Sequence, residues 1–154
     1  VRRNDREVTD LDGIVEILSR ADTIRLGLHD EPYPYVVPLS FGYEVVAGRV
    51  VVFFHGACEG LKHELIAGNP YVCVEAGIFY RFAEVPGSVT TEYESVIGFG
   101  RAELVRDGEA RRGMGLLLRH CGFEGFVYDP KGLDRVAVYR IVLDRVSGKR
   151  RFVG

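Results

Sequence analysis

The stretch Thr91 to Val105 sets the strongest limit on what this chain can fold into. It reads Thr-Glu-Tyr-Glu-Ser-Val-Ile-Gly-Phe-Gly-Arg-Ala-Glu-Leu-Val, a long strand with Gly98 and Gly100 two apart and so on one face. Glycines placed that way mark a bend in a curved sheet. Five other segments read as strands: Thr23–His29, Tyr35–Tyr43, Arg49–His55, Tyr71–Ala76 and Arg135–Val146. Helical patterns are few. Residues 10–20 carry a stripe of Leu11, Ile14, Ile17 and Leu18 behind a candidate cap at Thr9. Residues 109–121 turn Met114, Leu117 and Leu118 inward, although Gly113 and Gly115 weaken that helix. Residues 77–90, with Gly77, Pro86 and Gly87, read as a loop, and 122–132 as irregular. The expected fold is mainly β with short helices, a six-stranded antiparallel barrel, because closure removes exposed edges. The hydrophobic period supports β structure without choosing barrel over sandwich.

Composition narrows the function classes. With 154 residues, of which 47% are hydrophobic and 27% charged, one domain over 1–154 with a real core is expected. A net charge of −2 and a pI near 6.1 give no footprint for nucleic acid or an anionic membrane. No apolar run approaches the roughly 20 residues of a membrane span. Cys58, Cys73 and Cys121 have no metal-ligand spacing and are odd in number, which points to a reducing cytoplasm and to no metal site. The start, Val1-Arg2-Arg3-Asn4-Asp5, has no signal-peptide core, and the missing initiator methionine points to a trimmed start.

The chemistry concentrates in Phe53 to Pro70. A strand ends in His55-Gly56-Ala57, a turn follows through Gly60, and a short helix carries Leu61, Leu65 and Ile66 on one face before Gly68 and Pro70 stop it. Small residues leave backbone N–H groups uncovered. Lys62 sits in the first helical turn, where the helix dipole disfavours a cation. A bound anion resolves both features, since free amides, a helix N-terminus and a lysine together form a phosphate site. A tight turn with a surface lysine accounts for the spacing equally well. The G-x-x-x-x-G-K-[ST] string is absent, so a nucleoside triphosphate is not implied. Upstream, Pro38 interrupts a strand and is followed by Ser40 and Gly42, so backbone and hydroxyl groups there could face a ligand; an edge strand with a bulge is the plainer explanation.

These segments together resemble the flavin-binding split-barrel proteins related to pyridoxamine 5′-phosphate oxidase, and within them the nitroimidazole-resistance branch. The matching pieces are Arg2-Arg3-x-Asp5-Arg6-Glu7, Arg25-Leu26-Gly27, Tyr33 to Tyr43, Phe54-His55-Gly56-Ala57 with Gly60-x-Lys62, Asn69-Pro70, Tyr93-x-Ser95-Val96, Gly98-x-Gly100-Arg101-Ala102 and Ile141 to Lys149. The resemblance implies a homodimer with two sites at the subunit interface and FMN as cofactor, with FAD or haem as alternatives. It implies that Pro38, Leu39, Ser40 and Phe41 offer backbone to the flavin ring. His55, Gly56, Ala57 and Lys62 would hold the ribityl-phosphate side, and Tyr93, Ser95 and Val96 would approach from the partner. It gives His55 a catalytic part.

The activity so implied is reduction of a small aromatic compound, such as a 5-nitroimidazole, with antibiotic resistance as the outcome. Reduction of a nitro group to an amine takes six electrons, so an external donor is required. No Gly-x-Gly-x-x-Gly string marks a resident nicotinamide site. The competing class is a non-catalytic FMN- or haem-binding storage or sensor protein, in which His55, His63 or His120 could ligate iron. Pyridoxine-phosphate oxidation fits worst, because the chain is short for it and its substrate residues do not map.

Overall fold

A computed structural model describes residues 2–154. After a single 3₁₀ turn at Asn4–Arg6, the elements run β1 (Glu7–Val8), α1 (Leu11–Arg20), β2 (Ile24–Leu28), β3 (Tyr35–Leu39), β4 (Gly42–Val46), β5 (Arg49–Ala57), α2 (Leu61–Gly68), β6 (Tyr71–Val85), β7 (Ser88–Val105), α3 (Asp107–His120), α4 (Pro130–Leu133) and β8 (Val136–Arg151). The strands form one eight-stranded antiparallel sheet in the order β3-β2-β6-β7-β8-β5-β4, with β1 paired to β8.

That order makes the sheet a barrel. β3 and β4 lie at opposite ends of the path, yet only Ser40 and Phe41 connect them. From Leu39 to Gly42 the chain takes three steps and reaches at most about 11 Å. The sheet must therefore curl until its ends meet, and because β3 pairs with β2 while β4 pairs with β5, the meeting edges stay unpaired and the barrel is split. The predicted strand Tyr35–Tyr43 is thus two strands that part at Ser40, which is one reason the count is eight and not six. The other is β1, too short to show a period.

The predicted loop 77–90 is a second correction. It is a hairpin, β6 and β7 paired to Val85↔Ser88 about the turn at Pro86-Gly87, where Gly87 takes a φ of +73°. Gly77 is no breaker; a side chain there would run into the Glu75 carboxylate. The cap of α1 is Asp10 rather than Thr9, since the Asp10 carboxylate accepts from the Gly13 N–H at 2.8 Å. In α2, Ile66 is buried but Leu61 is 47% exposed, so the predicted apolar face is narrower. α3 begins at Asp107, two residues before the predicted helix 109–121.

Two apolar clusters share β5. Val50, Val52 and Phe54 point into the barrel with Ile14, Ile17, Leu26, Tyr139 and Ile141. Val51 and Phe53 point outward and are covered by Met114 of α3, beside Val105 and Val138. Both faces being buried explains the unbroken apolar run. Gly113 brings α3 close: an added Cβ would stand 2.5 Å from the Phe53 ring.

Candidate functional site

The site is built where β5 outruns β4. The last β4–β5 pair is Gly42↔Phe53, whereas β5 continues along β8 through His55↔Val138, Gly56↔Ala137 and Ala57↔Val136. His55 to Ala57 therefore keep one backbone edge unpaired among the described strands. The chain leaving β3 passes Ser40 and Phe41 on its way into β4, next in register to this edge, so Pro38–Phe41 and His55–Ala57 are neighbours at one end of the barrel. Strand alternation decides what each offers. Phe41 is fully buried and packs on His120 at 4.4 Å between centroids, Leu39 is half-buried against the core, and Pro38 and Ser40 are exposed. Only backbone is available from Phe41. Pro38 sits on the end strand of the path, where its missing N–H costs no ladder bond.

The turn after Ala57 is shaped by Gly60, whose φ of +117° and ψ of 177° only glycine adopts readily. Gly60 has no side-chain cap to give, so the first N–H groups of α2 have no intrahelical partner. Lys62 bends back over the strand end: a Cβ on Gly56 would meet Lys62 Cε and Nζ at 2.6 Å. Its Nζ lies 6.0 Å from the centre of the Phe54 ring. No carboxylate pairs with Lys62 among the described residues, and burial pushes its pKa down. Burial, then the charge of Lys62, lowers His55. By register His55 shares the outer face with Val138, and it makes no side-chain hydrogen bond among the described residues. An uncapped helix start and a desolvated lysine without a carboxylate fit a phosphate monoester.

Two of the other histidines, His63 and His120, are engaged. His63 Nδ1 is hydrogen-bonded with the Tyr139 hydroxyl, and Tyr139 stacks on Phe54 at 5.1 Å, which pins α2 to the barrel. His120 Nε2 donates to the Ala21 carbonyl at 2.6 Å between the Phe41 and Tyr43 rings.

The structure does not bring Tyr93, Ser95 and Val96 to this place. On β8 the partner of His55 is Val138, while that of Ser95 is Lys149. At about 3.3 Å per residue, these points are on the order of 30 Å apart. Tyr93 and Ser95 face outward, with Lys149 Nζ 5.9 Å from the Tyr93 ring centre. Val96 is 2% exposed, its side chain lies inside the barrel, and its backbone pairs on both sides with Ala76 and Gly148. Alternation puts it on the face opposite Ser95, and it offers no side chain to a neighbour.

Two concavities open on the outer surface. One of about 1060 Å³ lies between α3, α4 and the 122–134 segment, with Cys58 and His63 at one side. The other, about 670 Å³, sits over the bulge in the β7–β8 ladder, where Asp144 of β8 is the extra residue, beside Cys73 and Arg145. Neither includes Lys62 or Pro38–Phe41. Of the two helix-weakening glycines, Gly115 lines the larger one and Gly113 does not.

No curated protein matches the chain. Solved structures that it resembles include a candidate 5-nitroimidazole antibiotic resistance protein from Bacteroides thetaiotaomicron, with 29% identity and a TM-score of 0.83 over 93% of this chain and 85% of that one. The flavocytochrome Anf3 from Azotobacter vinelandii matches at 21% identity and a TM-score of 0.78, over 99% and 72%. The FAD and haem binding protein from Mycobacterium smegmatis matches at 18% and 0.79, over 96% and 74%. At such identities the last two speak for the fold alone. The family model described as pyridoxamine 5′-phosphate oxidase matches residues 10–150, nearly the whole of the described barrel, and the chain belongs to that family of split barrels.

Proposed function

We propose that this chain is one half of a homodimeric, FMN-dependent reductase of small aromatic compounds, with 5-nitroimidazoles as the candidate substrates. The reading takes residues 1–154 as one domain at work in a reducing cytoplasm, in keeping with three unpaired cysteines. The observation that carries it is Lys62, desolvated against Gly56 at the uncapped start of α2 with no carboxylate beside it. The names of similar structures, a nitroimidazole-resistance protein and flavin binders, agree with it.

Bound flavin would supply the electron transfer; the chain binds, orients and tunes it. Lys62 and the first amides of α2 would hold the phosphate. The unpaired edge of His55–Ala57 and the backbone of Pro38–Phe41 would receive the rest along the split. Burial, and then the charge of Lys62, lowers His55. An anion on Lys62 would remove the second of these causes, and His55 would be the proton donor at the site. The separation of Tyr93 and Ser95 from His55 within one chain means that they could join this site only from a second subunit.

An absorbance spectrum of the purified protein, before and after FMN is added, separates the classes. A bound flavin spectrum supports the reading; a haem Soret band, or no uptake of FMN, overturns it. Sedimentation across a dilution series tests the shared site: FMN should favour the dimer, and a monomer that binds FMN with full affinity would remove Tyr93 and Ser95 from it.

A further inference from the structure

Two glycines in α3 stand two residues apart and meet opposite surroundings. Gly113 has the Phe53 ring 2.5 Å from where its Cβ would be, so close packing against the barrel accounts for it. Gly115 has nothing within 4 Å. A glycine inside a helix costs roughly 1 kcal/mol relative to alanine, and at Gly115 no packing against the protein offsets it. What Gly115 does face is the larger cavity, about 1060 Å³, which it lines together with Leu118, Phe126, Val127 and Leu133. Phe126 and Val127 are 60% and 87% exposed, so this wall leaves apolar surface in water that a ligand could cover.

We infer that this cavity is a binding site for an uncharged aromatic compound, and that Gly115 keeps it open. The charge at its rim selects the class. Arg106 and Arg111 are balanced there by Asp107 and Asp134, and none of the four takes part in an ion pair among the described residues. A rim with no net charge gives an organic anion or cation no advantage over a neutral molecule, whereas the aliphatic and aromatic wall favours a flat apolar one. The volume lies at the upper end of ordinary ligand pockets, about 300–1,000 Å³, and so admits compounds larger than one five-membered ring. Cys58 and His63 at its side belong to the turn and helix that carry Lys62, so the cavity adjoins the proposed cofactor site without sharing Lys62. The inference is separate from the choice of cofactor and deepens the proposed substrate class if that choice holds.

The test is uptake of the neutral fluorescent probe N-phenyl-1-naphthylamine by the full chain, with FMN titrated into the same samples. Gly115→Phe fills the opening without meeting any atom at its Cβ, and Gly108→Ala in the same helix is the control, because Gly108 is also uncrowded but does not line the cavity. The wild type and Gly108→Ala should take up the probe. Gly115→Phe should bind it roughly tenfold more weakly or worse, as expected when a site is overfilled, with FMN affinity unchanged. No uptake by the wild type, or equal uptake by Gly115→Phe, overturns the inference. Loss of FMN binding in every sample with probe uptake intact would instead count against the cofactor reading and leave the cavity assignment standing.

Discussion

The two ends of β8 treat their carboxylates and cations differently: one end holds the two buried charges, Glu92 and Glu94, and the other a half-buried lysine. Near Arg150 every carboxylate has its partners. Glu94, 1% exposed, accepts two hydrogen bonds from Arg20 at 2.8 and 2.7 Å and one from the Tyr80 hydroxyl at 2.6 Å, with Arg150 at 3.4 Å. Glu92 pairs with Arg81 and accepts from the Val153 N–H at 2.6 Å. Near Ala137, by contrast, Lys62 and His55 are half-buried with no partner of opposite charge. At the Arg150 end the carboxylates have partners, although Arg150 Nε and Nη2 and Arg151 Nε make no hydrogen bond there; at the split a half-buried lysine without a carboxylate is what a ligand site looks like before its ligand. Burial pushes the Glu94 carboxyl up, but its hydrogen bonds from Arg20 and Tyr80 and the charges of Arg20 and Arg150 outweigh this and hold it below the usual range. At the other end burial alone lowers Lys62.

The largest effect should come from breaking the closed end. Glu94→Ala strands Arg20, Arg150 and Tyr80 together and should cost about 3 kcal/mol, the low end for a broken buried pair because Arg20 reaches solvent. A shift in the urea midpoint reads this, and FMN affinity per folded chain should not change. A loss below 1 kcal/mol, the scale of an ordinary surface pair, would show that the closed end is not held by these charges.

The pH dependence sharpens the contrast, since the two ends have opposite signs. Glu94, lowered on folding, contributes stability that is complete above its unfolded value near 4.5 and is lost as the pH falls through its folded value. Lys62 is a lowered cation. It imposes a penalty through the neutral range that lifts as the pH rises from its folded value and is gone above 10.5. Comparing urea midpoints of wild type with Glu94→Gln in acid, and with Lys62→Ala in base, separates the two. Lys62→Ala should be no less stable than wild type at pH 7; a clear loss there would mean that Lys62 has a structural partner.

The smallest effects concern α3. Gly113→Ala should destabilise by about 1 kcal/mol or more through the collision with Phe53, while Gly115→Ala should stabilise by roughly 0.5–1 kcal/mol. Equal responses would mean that the two glycines are there for the same reason.

Much of this was legible in the sequence, and the failures have a common cause. Strand period located β2, β5, β7 and β8 because each alternates or is buried on both faces. The split at Ser40 was hidden because one apolar run continues through it, and only the destinations of β3 and β4, set by distant strands, show that it is two. Residues 77–90 read as a loop because Gly77 suggested a break, whereas the pairing that carries the strand through it lies on β7. Lys62 could be singled out because helix position and neighbouring glycines are local signals. The grouping of Arg20, Tyr80, Glu94 and Arg150 could not, since it joins residues far apart in the chain. That Ser95 and Val96 take opposite faces does follow from the sequence, since a strand sends adjacent side chains to opposite sides.

The central claim is that Lys62 awaits a phosphate, and it is tested most directly by titrating FMN and riboflavin into wild type and Lys62→Ala. A charge-assisted contact is worth about 1.5–3 kcal/mol. The account predicts that the mutant loses roughly tenfold or more in FMN affinity and far less for riboflavin, which has the same ring and no phosphate. Equal losses for the two ligands, or no loss for either, would contradict it.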